Sequence, residues 1–380
     1  MWKKSVLILM LFFSGSVHMK PDQVSAHMND FIEYWSAARL TLDGKNPYSP
    51  ELMFEIQKPA GWLEDRPLMM WNPPWALTLV LPFGLLNYPI GQVFWLIFNL
   101  AALLISIDIC WRLYSGGEGA FLLVWMLAFM FFPFLFVLRS GQITPLIMLG
   151  VTGFVFLLNK DREKLAGSVV VLASLKPHLL FLFWVAVVFW AVDRKRWRII
   201  IGLVGTFLFC SAVPLVFNPL ILSQFLESVA KDSPLYWMTP TLGALLRRLF
   251  GVEKSWMQFI PSLLGLLWFI VYWIQNRTSW NWQNHLPTVL LSSVVLSSYG
   301  WSFDLVVLLP VIIFTAMRLR ECQQKFRITA GLVLYVLLNG ILFFMNNQGA
   351  NEFAFVWVSP VILVCIATLL RGLSPGIQQS

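Results

Sequence analysis

Apolar stretches near 20 residues long recur along the chain, and the polar turns between them are short and mostly basic. Gly91–Trp111, Ile199–Phe217, Trp256–Ile274, Ile328–Phe344 and Phe353–Leu370 are the clearest. Each is continuous rather than alternating, so each predicts a helix across the hydrocarbon layer and not a strand of a closed barrel. Shorter or interrupted runs add Phe121–Leu138, Ile143–Leu158, His285–Tyr299 and Leu305–Met317. Lys3 and Lys4 followed by an apolar run resemble a signal peptide, but the many later spans favour an uncleaved first helix over Met1–Val17.

Leu165–Trp190 is interrupted by Lys176-Pro177-His178. Its flanks, Lys160–Lys164 and Arg194–Arg198, are both basic, and basic loops stay inside. Two inner flanks need an even number of crossings, which predicts a short hairpin with Lys176 at its outer tip. A single long kinked helix is the competing reading. With the hairpin, the pattern predicts an all-α polytopic membrane protein of about 12 transmembrane helices on the ~20-residue criterion. No repeat, low-complexity run or soluble domain is visible, so 1–380 reads as one integral membrane domain in the cell membrane. Lys3, Lys4 and Arg371 place both termini on the cytoplasmic side.

Two long polar interruptions stand out. Residues 218–255 form a second outer loop, and Lys20–Trp75 forms the first, where five basic residues against eight acidic ones leave a net charge of −3. Inside the first loop, Phe31, Tyr34, Trp35, Ala38 and Leu42 share one face of a helix over Asp30–Asp43. Asp30 with Glu33 resembles a capping box, and Gly44 is a plausible stop. Such a helix suits the membrane interface with its aromatic face down. Trp71 to Leu86 contains Pro82 and Gly84 and is short for a span, which predicts a half-inserted segment covered by neighbouring helices.

Composition sharpens the class. The chain is 58% hydrophobic and only 12% charged, with mean hydropathy +0.72, which excludes a soluble globular domain. The net charge of +8 sits in clusters between spans and argues for no nucleic-acid partner. Cys110, Cys210 and Cys365 fall in apolar runs and Cys322 in a basic loop, so neither a disulfide framework nor a metal site is expected. No Gly-rich phosphate loop is present, and no cofactor is expected.

Ionisable residues at membrane depth are costly and point to function. In this topology Asp30, the turn Arg139-Ser140-Gly141-Gln142, Lys176 and Asp304 converge on the outer face. Asp30 suits a general base or, more plainly, an N-cap. Lys176 suits a phosphate ligand or a snorkelling lysine. Arg139 with Gln142 suits a phosphate or sugar hydroxyls, or the headgroup level. His178 reads as a satisfied interface residue. Arg247 and Arg248 suit a lipid-phosphate clamp or contact with anionic headgroups. Asp304 at a helix start complements the helix dipole. Trp71, Tyr236, Tyr299 and Trp301 suit sugar stacking or an aromatic belt.

Asp30…Tyr34…Ala38 with Gly44-Lys45-Asn46-Pro47-Tyr48, then Asn72-Pro73-Pro74, Gly141-Gln142, Leu175-Lys176-Pro177-His178 and Tyr299-x-Trp301-x-x-Asp304 resemble glycosyltransferase family 87 in order and spacing. The resemblance covers roughly Asp30 to Pro310. It implies a membrane enzyme of the GT-C fold that uses polyprenyl-phosphate mannose or a similar lipid donor. It also implies Asp30 as catalytic base and Lys176 beside the lipid phosphate. Where many members carry a Trp-x-His-His type turn, this chain has Trp301-Ser302-Phe303-Asp304.

The expected activity is therefore inverting transfer of a hexose, mannose first among them, to a lipid or glycan acceptor on the outer leaflet. The substrate-binding set is Tyr34, Arg139, Gln142, Lys176, His178, Trp301 and Asp304. A transporter or lipid flippase is the rival class, although such proteins usually show internal repeats. A non-catalytic scaffold, in which Asp30 is only a cap, is a third.

Overall fold

The structure, a computed structural model, describes residues 30–114, 118–231 and 237–373. The expected first helix over Met1–Val17, the start of the first loop and Tyr236 lie outside the described residues. All regular structure among the described residues is helical.

Helix α1 (Phe31–Leu42) begins the described chain and buries ten of its twelve residues. Its aromatic residues do share a face. Phe31 stacks against Trp95, Tyr34 lies tilted against the same ring, and Trp35 packs edge-on against Tyr88. The opposite side is also covered, because Ala38 meets Gly84 so closely that a Cβ on Gly84 would lie 2.8 Å from the alanine's. A helix expected to lie with one face on a surface is thus wrapped by protein almost all round. Helix α2 (Pro50–Gln57) follows, started by Ser49 Oγ accepting from Leu52 N. A 3-10 turn at Pro74–Ala76 leads into α3 (Leu77–Gly84). Eight residues rise only about 12 Å, too little to span. Helix α1 packs closely over it.

The long helix α4 (Tyr88–Tyr114) is followed by α5 (Phe121–Met130), α6 (Phe132–Ser140) and α7 (Thr144–Leu158). Next come α8 (Glu163–Val169), a 3-10 segment Val170–Leu175 and α9 (Phe181–Asp193). Then come α10 (Trp197–Phe217), α11 (Ile221–Lys231), α12 (Leu242–Phe250), α13 (Ile260–Asn276) and α14 (Trp282–Leu296). A 3-10 turn Ser302–Leu308 runs into α15 (Leu309–Glu321), and α16 (Lys325–Asn347) and α17 (Val358–Leu370) close the chain.

The single span expected over Phe121–Leu138 is two helices bent by 55°. Phe131 is extended at the break, and Pro133 supplies no N–H to continue the ladder. The Phe132 N–H, freed by the break, donates to Asn339 Oδ1 on α16 at 2.6 Å. Tyr335 of the same helix donates its hydroxyl to the Leu127 carbonyl. Elsewhere α16 packs along one face, through residues such as Tyr335, Leu338 and Met345, and Leu342 is its one fully buried residue.

The interruption at Lys176 is the tip of a hairpin. Arg196 pairs with Glu163 at 2.5 Å, so the chain returns to where the hairpin began. Gly167 lets α8 and α10 touch backbone to backbone, since a Cβ there would fall 2.0 Å from the Ile199 carbonyl oxygen. Arg194 donates to the carbonyls of Arg277 and Thr278, gathering these basic turns at one end. The 15 residues of α7 put that end about 22 Å from the turn that carries Gln142.

Six helices among the described residues are long and apolar enough to cross a membrane, or seven if the bent α5–α6 pair is one span. The pattern-based figure of about 12 on the ~20-residue criterion also counted short apolar stretches, such as α7 and α9, and the first span expected over Met1–Val17, outside the described residues.

Candidate functional site

Four chain segments meet at the end of the molecule opposite the basic turns. The first is the start of α1, where Asp30 N donates to Ser140 O at 3.0 Å. That bond ties α1 to the turn between α6 and α7. The turn is built on Gly141, left-handed at φ +69; its N–H caps Leu138 O and the Gln142 N–H caps Val137 O at the end of α6. A Cβ there would also lie 3.1 Å from Phe31 N, so both conformation and contact call for glycine. Trp95 Nε1 locks the turn by donating to Gly141 O at 2.6 Å.

The turn aims Gln142 inward. Its Nε2 donates to Asp30 Oδ2 at 2.7 Å. Its Oε1 accepts from Tyr34 Oη at 2.9 Å and from Lys176 Nζ at 3.0 Å. With the Lys176 ammonium on one side and a carboxylate on the other, this amide orientation satisfies every partner, and its flip would set N–H against ammonium and oxygen against carboxylate. A single side chain therefore bridges a carboxylate and an ammonium.

Lys176 arrives from the hairpin tip. The tip is held by Asn72 Nδ2, which donates to Leu175 O at 2.9 Å, and by Trp75 Nε1, which donates to Ser174 O. The ammonium donates to Gln142 Oε1, to Thr144 Oγ1 at 3.3 Å and to Asp304 Oδ1 at 2.8 Å. An ammonium has three N–H groups, so all are engaged. It also lies 5.5 Å from the Trp301 ring centre and 4.8 Å from that of Phe303. Asp304 additionally accepts from Thr144 Oγ1 at 2.5 Å and, through Oδ2, from Trp301 N at 3.1 Å. The expected complement to a helix start is thus present, and the acid serves the lysine as well.

The described structure corrects one expectation for Asp30. Its side chain makes no capping bond to α1, so the capping-box reading fails. The carboxylate turns to Gln142 instead, at the cost of leaving the helix start to be satisfied by other groups. Burial first, and Asp30 second, hold the neighbouring Glu33 well above the usual carboxylate range. Burial first, and Glu33 second, raise the Tyr34 phenol. His178 lies behind Lys176 with its ring edge-on to Tyr299, 5.9 Å between centres. Burial, aided by the Lys176 charge, pushes its imidazole down to about 4, so it is neutral at physiological pH.

Other sequence-based candidates distribute differently. Arg139 stands on the exposed side of the last turn of α6, three residues from Gln142. Arg247 is 1% exposed and holds its own loop, donating to Val252 O and Gln258 Oε1. Its guanidinium is turned into the protein rather than outward. Arg248 packs over the Phe353 ring at 4.8 Å. Trp71, Trp237 and Trp301 form a contiguous row.

Two members of the network escaped sequence reasoning. Thr144 bridges Lys176 and Asp304, and its signal was faint: one hydroxyl opening an apolar helix two residues after Gln142. Glu352 accepts from Ser302 N and Ser302 Oγ, both at 2.9 Å, and so fixes the turn that presents Trp301 and Asp304. It is the single carboxylate between Glu321 and the end of the sequence, which marks it in retrospect.

Chemically, the arrangement offers a partly exposed carboxylate and a buried ammonium at the two ends of one amide. The first can accept a proton from a hydroxyl and the second can stabilise a leaving anion. The model of glycosyltransferase family 87 matches residues 71–345. That stretch contains Gln142, Lys176, Trp301 and Asp304, while Asp30, Tyr34 and Glu352 lie outside it. No curated protein and no solved structure matches the chain.

Proposed function

Since the chain belongs to glycosyltransferase family 87, and so joins a sugar donor to an acceptor at a membrane, we propose that the donor is a polyprenyl-phosphate hexose, with mannose the leading sugar. Transfer takes place on the outer leaflet with inversion, to a lipid or glycan acceptor. Charged nucleotide sugars do not cross a bilayer, so an outward-facing enzyme needs a lipid-linked donor. The positive-inside rule supports the orientation, because the basic turns gather at the end away from Asp30 and Lys176. The GT-C architecture is part of this proposal, with the short apolar helices completing the spans.

The observation that carries the reading is the Gln142 bridge between Asp30 and Lys176. Asp30 takes the proton from the acceptor hydroxyl. The hydroxyl oxygen forms a bond to the anomeric carbon, and the bond from that carbon to the phosphate oxygen breaks. Polyprenyl phosphate leaves with the electron pair. Lys176 faces the charge that develops there, and Arg139, on the exposed side of the last turn of α6, adds a second cation. Because every Lys176 proton is engaged at rest, the phosphate displaces one of the two neutral acceptors, Gln142 Oε1 or Thr144 Oγ1. The Asp304 pair persists and keeps the ammonium in place. Family membership takes the place of the transporter and scaffold alternatives.

Transfer from radiolabelled polyprenyl-phosphate mannose in proteoliposomes tests this, comparing the native protein with Asp30→Asn. Removing a general base is expected to lower transfer about 10²–10⁴-fold. The Asn side chain still accepts from Gln142, so folding is retained. Undiminished transfer in the folded variant would remove Asp30 from the chemistry.

A further inference from the structure

Nineteen tryptophans are spread along the chain, and most of those that the structure describes serve packing. Trp95, Trp35, Trp62 and Trp75 spend their indole N–H groups on backbone carbonyls. Three others are arranged differently. Trp71, Trp237 and Trp301 come from three distant segments and touch in a row. Trp71 meets Trp237 at 5.9 Å and 85°, and Trp237 meets Trp301 at 5.6 Å and 73°. None of the three is buried, and Trp237, in the middle, is 39% exposed.

The inner end of the row is the reacting centre. The Lys176 ammonium lies over Trp301, and Trp301 N is held by Asp304. The outer end is tied to the same place, because Asn72, next to Trp71, holds the carbonyl that precedes Lys176. An aromatic belt explains tryptophans that ring a protein separately at headgroup depth. It does not explain three that abut one another and lead to a buried cation. Hydrocarbon would be served equally by leucine or phenylalanine. Indole offers a broad apolar face together with an N–H donor, which matches the C–H face and hydroxyl rim of a pyranose. Successive near-perpendicular rings turn their faces in different directions along the row.

We propose that Trp71, Trp237 and Trp301 form a carbohydrate platform that receives the acceptor, so that the acceptor is a glycan of two or more units and not a bare lipid alcohol. This rests on the transferase reading and deepens it: the platform holds the glycan chain while its terminal hydroxyl faces Asp30.

The test is binding of tetrasaccharides of mannose, glucose and galactose to the protein in nanodiscs, by saturation-transfer NMR and titration. The native protein is expected to bind at least one of them. Trp237→Ala is expected to weaken it about tenfold or more, the loss of one stacking contact, while Trp237→Tyr restores most of it. Equal thermal midpoints exclude misfolding. No binding of any tetrasaccharide to the native protein, or equal binding by Trp237→Ala, overturns the platform, as does displacement of a bound tetrasaccharide by a short polyprenol alone. Asp30→Asn separates the two proposals: lost transfer with sugar binding intact supports both, and full transfer with sugar binding intact overturns only the base assignment.

Discussion

Lys176 Nζ lies 2.8 Å from Asp304 Oδ1, and the two side chains are 7% and 1% exposed. Neither charge has water to fall back on. Removing one partner strands the other, which costs about 3–5 kcal/mol in comparable buried pairs. Lys176→Ala and Asp304→Ala are therefore both expected to lower the unfolding midpoint sharply. The double variant Lys176→Met with Asp304→Leu is expected to regain much of that stability and none of the transfer. Full loss of stability in the double variant would show that the pair holds the fold in some other way.

Tyr34 gives a gentler probe of the same centre. Its hydroxyl is one of two donors to Gln142 Oε1. Tyr34→Phe removes that donor while Lys176 still satisfies the acceptor, so stability should drop by only about 1 kcal/mol. The amide loses one of the bonds that fix its tilt, and Asp30 with it. A fall in kcat with donor KM nearly unchanged is expected. A rise in donor KM alone would place Tyr34 against the donor.

Glu352 acts at a distance from the reacting atoms, through Ser302. Glu352→Ala leaves the buried Ser302 N–H without an acceptor, at about 1–3 kcal/mol. Ser302→Ala keeps the backbone bond and should be mild. If Glu352 positions the turn, Glu352→Gln retains one accepted bond and keeps measurable transfer where Glu352→Ala loses it. Equal activity in all three variants would reduce the residue to a surface anchor.

The pH dependence of stability has two limbs of opposite sign. His178 protonates near 4 in the folded chain, below its ordinary 6.5. The unfolded chain binds more protons between these values, so stability is lost as pH falls from 6.5 towards 4. Glu33 has a raised folded value, so its contribution is full below its ordinary 4.5 and is lost as pH rises through that raised value. His178→Gln should flatten the acid limb and Glu33→Gln the alkaline one. Denaturant titrations across that range check both, and slopes like the native protein's would refute the assignment.

The site was legible in the sequence to the extent that charge inside an apolar chain is conspicuous. Asp30, Lys176 and Asp304 stand out wherever the helices are drawn, and the Gly141-Gln142 turn needs its glycine. The hairpin at Lys176 followed from counting crossings between basic flanks, and the Glu163–Arg196 pair closes it. What hydropathy does not encode is partnership. Arg247 reads as a surface cation until the loop carbonyl of Val252 folds over it. Asp30 reads as a cap until the Gln142 amide, 112 residues away, offers its carboxylate a donor and wins the rotamer. The break at Phe131 was hidden because the chain is equally greasy on both sides of it.

That break also sets an order of events during synthesis. The Phe132 N–H finds its acceptor on a residue 207 positions later. At ribosomal speeds of ~5–20 residues per second, Asn339 emerges roughly 10–40 s after the segment that needs it. An amide left bare in hydrocarbon for that long would cost several kcal/mol. The segment around Phe132 must therefore wait straight, or at the water boundary, and take up its bend only when α16 enters the membrane. The penultimate helix, with a single fully buried residue of its own, is in this sense the latch that lets an early one settle.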